Sequence, residues 1–306
     1  MQNNLAIVIP YYKLTFFEET LLSLANQTNK QFKIYIGNDA SPENPSLLLE
    51  KYKGKFDFVY HKFETNLGGI SLVQQWNRCI AKVEDEEWLL ILGDDDVLSD
   101  NVVEEFYKNI NEINSLESNV IRYATVVIDE NGTEISNNYT HPKLETSTDF
   151  LMRKIKGGTR SSLSEFIFKK TAFDKVGFKD LPLAWYSDYL AVLEVSNFST
   201  LFTINNSLVY FRHSGINITS KKDNLTLKSS ATFKYYYYLL DEKKTFFNAQ
   251  QVEILKHKLE KTFLDNKKNI VFWKKFSTLY IRNGYFKQYI LFLRKAILMT
   301  IKKKTQ

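Results

Sequence analysis

The first 115 residues alternate between short apolar segments and longer segments whose apolar side chains recur at helical spacing. The apolar segments predict strands at 5–10, 32–39, 56–63 and 87–92, and the others predict helices at 14–27, from 46 onwards, at 69–83 and at 99–113. Strands and helices that alternate in this way form a mostly parallel sheet with helices on both faces. The pattern therefore predicts an α/β fold whose strands end along one edge, where open α/β sheets bind ligands.

After residue 119 the pattern becomes less regular. It predicts a strand at 119–129, an Asn-Gly turn at 131–132, a further strand within 157–173, a helix at 185–197 and two strand segments within 198–214. Ser99 and Ser187 are the expected N-caps of the helices that follow them. Beyond residue 220 only helices are predicted, so we expect a domain at 1–220 and a helical extension at 221–306.

Charge is distributed unevenly between these two regions. The chain carries a net charge of +6, but residues 221–306 hold 20 Lys plus Arg against 6 Asp plus Glu, so residues 1–220 carry a net negative charge. An acidic body argues against nucleic acid as the partner, and a basic extension favours an anionic one. The single Cys79, a short apolar start without a basic leader and the lack of a 20-residue apolar segment favour the cytoplasm, or the inner face of the cell membrane.

Three adjacent carboxylates, Asp94, Asp95 and Asp96, directly follow the fourth predicted strand. Carboxylate oxygens are the ligands that Mg²⁺ and Mn²⁺ prefer, and such ions commonly bind through few carboxylates plus substrate phosphates. A divalent cation would relieve the repulsion between the three side chains and hold a diphosphate. The alternative is a helix N-terminal cluster that interacts with the helix dipole.

Four motifs together resemble a known family. The segments "AIVIPYYK", "IYIGNDASPEN", "ETNLGGI" and "LLILGDDDV" occur in the order and spacing of the family 2 glycosyltransferases, which have the A-type nucleotide-diphospho-sugar transferase fold. The resemblance covers about residues 5–215. It implies an inverting glycosyltransferase that uses a nucleotide-diphospho-sugar donor and Mg²⁺ or Mn²⁺, and that acts on a saccharide or lipid-linked acceptor in bacterial surface polysaccharide synthesis.

The same resemblance implies a set of donor-site residues, with Asp39 at the nucleobase. The implied nucleotide-sugar contacts are Pro10, Tyr11, Tyr12, Asp39, Asn66, Gly68, Arg78, Asp94 and Asp95, and the implied metal ligands are Asp94, Asp95, Asp96 and His213. Arg160 follows a Gly-Gly pair that lets a loop close, so it is a further candidate contact to the donor diphosphate or to the acceptor. Two departures from the family pattern leave alternatives open. Gly93 stands at the first place of the acidic signature, so the sequence does not decide which carboxylates bind the metal. The segment "QQWNRCI" replaces the usual Ala-Arg-Asn, so Arg78 is either a diphosphate contact or an ordinary helix residue.

Transfer to a hydroxyl also requires a general base. The resemblance places it in "LPLAWYSDYLAVL", where Asp188 is the candidate and Glu165 the reserve, with Trp185 and Tyr186 as acceptor-binding residues. Asp188 is alternatively a first-turn acid near a helix N-cap. Arg212 and His213 precede a Gly turn and are candidates for closing over the metal and the diphosphate.

The last predicted helix, 289–304, is apolar and basic. Such a helix lies in an anionic membrane interface or packs on the rest of the protein. Two alternatives to a glycosyltransferase also remain, a nucleotidyltransferase and a non-catalytic carbohydrate-binding protein. The segment "IPYYKLTFF" lacks the Gly-rich loop that a nucleotidyltransferase would place after its first strand.

Overall fold

A computed structural model describes residues 4–215, 224–267 and 269–302, with side chains as far as Ala296. The chain divides into two compact units, Met1–Lys222 and Asp223–Gln306. The boundary predicted near residue 220 lies outside the described residues, as do the side chains of the predicted helix beyond residue 296. The two-domain division therefore stays a prediction at that position.

The first unit contains one nine-stranded sheet with helices packed on it. Its strands are β1 (Leu5–Tyr11), β2 (Phe32–Asn38), β3 (Asp57–Lys62), β4 (Trp88–Ile91), β5 (Val97–Leu98), β6 (Val120–Ile128), β7 (Leu144–Thr146), β8 (Phe166–Lys169) and β9 (Thr200–Arg212). Its helices are α1 (Phe17–Ala25), α2 (Ser46–Lys51), α3 (Leu72–Ile80), α4 (Val102–Ser115), α5 (Ser147–Ile155), α6 (Lys170–Val176) and α7 (Ser187–Val195). Two 3₁₀ turns, Leu163–Glu165 and Pro182–Ala184, precede β8 and α7.

The sheet order is β3-β2-β1-β4-β8-β6-β9-β5, with β7 paired to β9. β3, β2, β1 and β4 are mutually parallel, whereas β8 runs antiparallel to both β4 and β6. The four parallel strands therefore end at the same edge. The predicted fold class, a mostly parallel sheet flanked by helices, is confirmed.

Both faces of the sheet are buried. In β1, Leu5, Ile7 and Ile9 pack into one core cluster, and Ala6 and Val8 pack into the cluster on the opposite face. Alternate residues of a strand point to opposite faces, and here both faces are covered by helices, so the strand is continuously apolar. This arrangement leaves the polar residues that follow each strand at the sheet edge.

The structure corrects three local predictions. Ser99 is not an N-cap: α4 begins after Asn101, and the Ser99 hydroxyl accepts from the Leu208 N–H and donates to Asn101. Ser187 lies inside α7, whose N-cap is Tyr186, and its hydroxyl donates to the carbonyl of Lys179. The two strand segments predicted within 198–214 are one strand, β9, whose pairing with β6 shifts register at a bulge.

The second unit is helical, as predicted. Its helices are α8 (Leu225–Asp241), α9 (Ala249–Asp265), α10 (Ile270–Arg282) and α11 (Phe286–Lys302). Aromatic rings form its core. Phe263 contacts Phe276 and Phe292 at centroid distances of 4.8 and 5.4 Å, which joins α9, α10 and α11. Among the described residues, no helix is both long enough and apolar enough to cross a membrane.

Candidate active site

The acidic triplet lies at the carboxyl end of β4, beside the end of β1. The N–H groups of Tyr12 and Lys13 both donate to one carboxylate oxygen of Asp94, at 2.7 and 2.8 Å. These two residues follow β1 directly, so the parallel pairing of β1 and β4 brings the donors and the acceptor together. Asp94 therefore joins the ends of the two central strands.

Asp96 is also bound by the protein, through both of its carboxylate oxygens. The backbone N–H of Arg212 donates to one oxygen at 3.0 Å, and the Ser164 hydroxyl donates to the other at 2.5 Å. Ser164 in turn accepts a hydrogen bond from the N–H of Gly93. Burial raises the pKa of Asp96, and these hydrogen bonds oppose that rise. Asp96 is 4% exposed, so its side chain is a buried, hydrogen-bonded part of the loop that contains the acidic triplet.

Asp95 differs from both neighbours. Its carboxylate is partly exposed and receives no hydrogen bond from the residues that the structure describes. Burial, followed by the negative charges of Asp96 and Asp94, raises the pKa of Asp95 to about 8. A carboxylate that is poorly neutralised by its own protein is suited to a cation.

The residues present fit a cation that is shared with a substrate. No group of three or more His, Cys, Asp or Glu side chains within the described residues forms a metal-binding cluster. Mg²⁺ and Mn²⁺ in phosphate sites do not need such a cluster, because one or two carboxylates and the phosphate oxygens are sufficient. Asp95, with the second oxygen of Asp94, fits that requirement.

Arg212 stabilises the loop that contains the acidic triplet. The side chain is fully buried, and its Nε donates to the carbonyl of Asp95 at 2.9 Å while Nη2 contacts Glu19 on α1 at 2.5 Å. Its guanidinium also stacks on the ring of Phe16. Arg212 therefore holds the loop, and its neighbour His213 is exposed after β9, with its N–H donating to Ile128.

Asp39, which follows β2, binds the loop after β3. Its two carboxylate oxygens accept from the N–H groups of Leu67 and Gly68, at 2.7 and 2.9 Å, and Arg78 of α3 donates to it as well. A Cβ at Gly68 would lie 2.5 Å from the Asp39 carboxylate, so glycine is required there. The Arg78 guanidinium also lies over the ring of Phe63, at 3.9 Å. The structure thus brings Asp39, Gly68 and Arg78 together, as one polar group beside the triplet.

The remaining implied donor residues lie along the same edge. Pro10 and Tyr11 end β1, where the buried Tyr11 donates its hydroxyl to the carbonyl of Glu43. Tyr12 is 39% exposed, and the Asn66 side chain accepts from the N–H of Gly69. Tyr12 is therefore the most accessible of the aromatic side chains that follow β1.

Asp188 lies in the first turn of α7, after a strained segment. Leu183, Ala184 and Tyr186 all have φ between +52° and +72°, a conformation that costs non-glycine residues free energy. Burial raises the pKa of Asp188 to about 7, and the nearby backbone N–H of Tyr189 opposes that rise. A carboxylate with a pKa near neutrality is suited to accept and release protons.

Trp185 and Tyr186 flank this carboxylate and are partly exposed. Their ring centroids are 5.9 Å apart, and Tyr186 lies 5.5 Å from Tyr189, which stacks on Phe150. Aromatic faces of this kind bind the apolar faces of sugar rings while hydroxyl groups hydrogen-bond nearby. The predicted acceptor residues and the predicted base are therefore adjacent.

Glu165 and Arg160 lie between the triplet and Asp188. Glu165 is fully buried, accepts from the N–H of Ser162 at 2.9 Å, and lies 3.8 Å from the Arg160 guanidinium, which stacks on Phe211. The Arg160 charge opposes the burial that raises the pKa of both Asp96 and Glu165. Because Ser164 contacts Asp96 and the next residue is Glu165, one 3₁₀ turn joins the acidic triplet to Glu165.

Sequence reasoning missed Ser164 and the structural role of Arg212. The segment "SLSE" at 162–165 has the Ser-x-x-Glu spacing of a capping box, which could have indicated an ordered turn before β8. No local pattern connects Ser164 to Asp96, because the two residues are 68 positions apart. For Arg212, a phosphate contact was expected, and the structure buries its guanidinium instead.

The comparisons with known proteins agree with this architecture. The model of glycosyl transferase family 2 matches residues 6–181, more than half of the chain. The chain belongs to glycosyl transferase family 2. It is a nucleotide-sugar glycosyltransferase, and the match contains the triplet, Asp39 and the loop at Gly68.

Solved structures show the same fold over a longer range. S. aureus TarS 1–349 in complex with UDP superposes with a TM-score of 0.62 at 18% identity, over 86% of this chain and 72% of that chain. TarS 1–349 in complex with UDP-GlcNAc superposes with a TM-score of 0.65 at 19% identity, over 86% of this chain and 73% of that chain. None of the curated proteins compared with this chain matches it.

Proposed function

We propose that this glycosyltransferase moves a sugar from a nucleotide-diphospho-sugar to a hydroxyl of a saccharide or lipid-linked acceptor, with inversion at the anomeric carbon. The observation that carries the proposal is the pair of carboxylates, Asp95 and Asp188, that the site leaves for substrate. Family membership favours this activity over the nucleotidyltransferase that the sequence also allowed.

The proposed donor site lies between β1 and β4 and extends to the loop at Gly68. Tyr12, Asn66 and Arg78 are proposed to contact the nucleotide, together with Pro10 and Tyr11. Asp39 positions the loop through the Leu67 and Gly68 N–H groups. Since TarS binds UDP and UDP-GlcNAc, uridine nucleotides are the first donors to test.

Asp95 would hold a divalent cation, with the second oxygen of Asp94. When bound, Mg²⁺ or Mn²⁺ supplies positive charge to the departing nucleoside diphosphate. His213, exposed after β9, is a further proposed ligand, whereas both oxygens of Asp96 already accept hydrogen bonds from the protein. We therefore assign to Asp96 the positioning of the loop rather than direct ligation.

Asp188 is the proposed general base. As the acceptor oxygen forms its bond to the anomeric carbon, the bond to the diphosphate oxygen breaks and the hydroxyl proton passes to the Asp188 carboxylate. Trp185 and Tyr186 orient the acceptor sugar. Attack from the face opposite the diphosphate inverts the configuration.

A donor panel tests this function. The full chain is incubated with UDP-, dTDP- and GDP-sugars in the presence of Mn²⁺ or EDTA, and thermal stabilisation and nucleotide release are measured. We expect one nucleotide class to stabilise the protein, more strongly with the metal. If none of these nucleotides stabilises it under either condition, the proposed donor site is wrong.

The acceptor is tested separately. Lipid-linked and free saccharides from bacterial surface polysaccharides are supplied with the donor that binds, and transfer is followed by mass spectrometry. A product whose anomeric configuration is retained would contradict the proposed single displacement.

A further inference from the structure

The outer face of α10 and α11 combines exposed apolar side chains with positive charge. Ile270 and Ile281 of α10 are 76% and 51% exposed, and Phe286 and Ile290 of α11 are each 58% exposed. We call these four side chains the apolar face. Large apolar side chains exposed in this number on one pair of helices indicate an interaction surface.

The apolar face is separate from the packing face of the same helices. Phe276 of α10 and Phe292 of α11 are buried against each other, with centroids 4.6 Å apart. At 100° per residue, Phe286 and Ile290 lie about 120° and 160° around α11 from Phe292. The core of the second unit therefore does not need the apolar face.

The charged side chains that α10 and α11 themselves carry have one sign. Residues 269–306 contain nine Lys plus Arg and no Asp or Glu. Three of these cations, Lys274, Lys287 and Arg294, are exposed and lie within about 60° of a side chain of the apolar face on the same helix. A partner that fits must therefore supply negative charge and an apolar layer next to it.

We infer that the apolar face and its flanking cations dock this protein on an anionic lipid bilayer. Lipid headgroups supply the negative charge, and the acyl boundary accepts the isoleucine and phenylalanine side chains. Nucleic acid supplies only the charge, so exposed Ile270 and Phe286 would gain nothing from it. The inference does not depend on the proposed reaction, because it uses no residue of the candidate active site.

Vesicle co-sedimentation of the full chain tests the inference. We expect binding to phosphatidylcholine vesicles that contain 30% phosphatidylglycerol and little binding to pure phosphatidylcholine. Lys274→Gln with Lys287→Gln weakens binding by about fivefold for each charge. Phe286→Ser with Ile290→Ser weakens it by about tenfold or more, because both side chains lose their buried area in the bilayer.

The control is Leu47→Ser, which removes an apolar side chain that is 91% exposed on α2. It should bind vesicles as the unchanged chain does, and circular dichroism should show that all variants keep their helices. Equal binding to both vesicle types, or binding that the Phe286 and Ile290 changes do not reduce, would overturn the inference. Tight salt-dependent binding to duplex DNA without vesicle binding would overturn it in favour of nucleic acid.

Discussion

Two groups of carboxylates in the candidate active site differ in the contacts that they make with the protein. Asp39, Asp94 and Asp96 accept hydrogen bonds from the N–H groups of distant loops, so their charges stabilise the loops themselves. Asp95 accepts none from the described residues, and the N–H groups that lower the pKa of Asp188 belong to its own turn of α7. Residue type alone therefore does not identify a substrate contact in this protein.

The physical basis of the difference is the cost of burying a charge. A buried carboxylate is tolerated when hydrogen bonds or cations compensate for lost water. Arg78 and Arg212 provide part of that compensation at Asp39 and beneath the triplet. Burial raises the pKa of Asp94 and Asp96 as well as of Asp95 and Asp188, but hydrogen bonds from distant parts of the chain oppose the rise only at Asp94 and Asp96. Carboxylates with raised pKa values concentrate where substrates bind.

The largest effect is expected at Asp188. Asp188→Asn keeps the shape of the side chain but removes its ability to accept a proton, so we expect kcat to fall by about 10³-fold with nucleotide affinity unchanged. The measurement is steady-state transfer together with nucleotide titration. Asp180→Asn is the matched control, since Asp180 accepts hydrogen bonds from Ser71 and Gln74 at the start of α3 and contacts no residue of the candidate site among those described. Undiminished transfer by Asp188→Asn would remove it as the base.

Substitutions of the adjacent Asp95 and Asp96 compare a carboxylate that accepts no hydrogen bond from the described residues with one that accepts two. Asp95→Asn should weaken metal-dependent nucleotide binding by about 10²-fold with little change in Tm, because few protein contacts are lost. Asp96→Asn should lower the free energy of unfolding by about 1–3 kcal/mol, because it disturbs two buried hydrogen bonds. Thermal unfolding and calorimetric titration measure both. If the two variants behave alike, the distinction between them fails.

A substitution at Gly68 tests the hydrogen bonds that Asp39 accepts from the loop after β3. Gly68→Ala places a Cβ against the Asp39 carboxylate, so the loop must shift, and we expect nucleotide affinity to fall by about tenfold. Isothermal titration measures it. Gly54 has only open space around its Cβ position but a positive φ, so Gly54→Ala controls for backbone strain alone. An unchanged affinity in Gly68→Ala would mean that the loop does not touch the nucleotide.

The smallest effect concerns pH. Because only the ionised Asp188 accepts a proton and its pKa is about 7, kcat/KM should rise with pH through neutrality. After burial, the negative charge of Glu165 is a further cause that raises the pKa of Asp188. Glu165→Gln should therefore move the acid limb of the profile to lower pH, whereas Glu165→Asp, which keeps the charge, should move it less. A limb that stays in place in Glu165→Gln would show that Glu165 does not act on the base.

Much of the fold could be predicted from local patterns. The four parallel strands and α1, α3 and α4 were predicted because their apolar periodicity is strong and turn residues bound them. The second half was predicted less well: β9 was divided in two, because its bulge at 204–208 resembles a turn, and α5 was not predicted. Short strands such as β5 and β7 carry too few residues to show a period.

The sequence alone determined the order of motifs along the chain, and with it the parallel sheet, the family resemblance and the placement of three carboxylates at a strand end. The tertiary structure was needed to show which of these carboxylates accept hydrogen bonds from distant parts of the chain. Ser164 reaches Asp96 across 68 positions and Arg212 reaches it across 116. Local periodicity carries no information at those separations, because hydrogen bonds between distant loops form only after the sheet has brought the strand ends together.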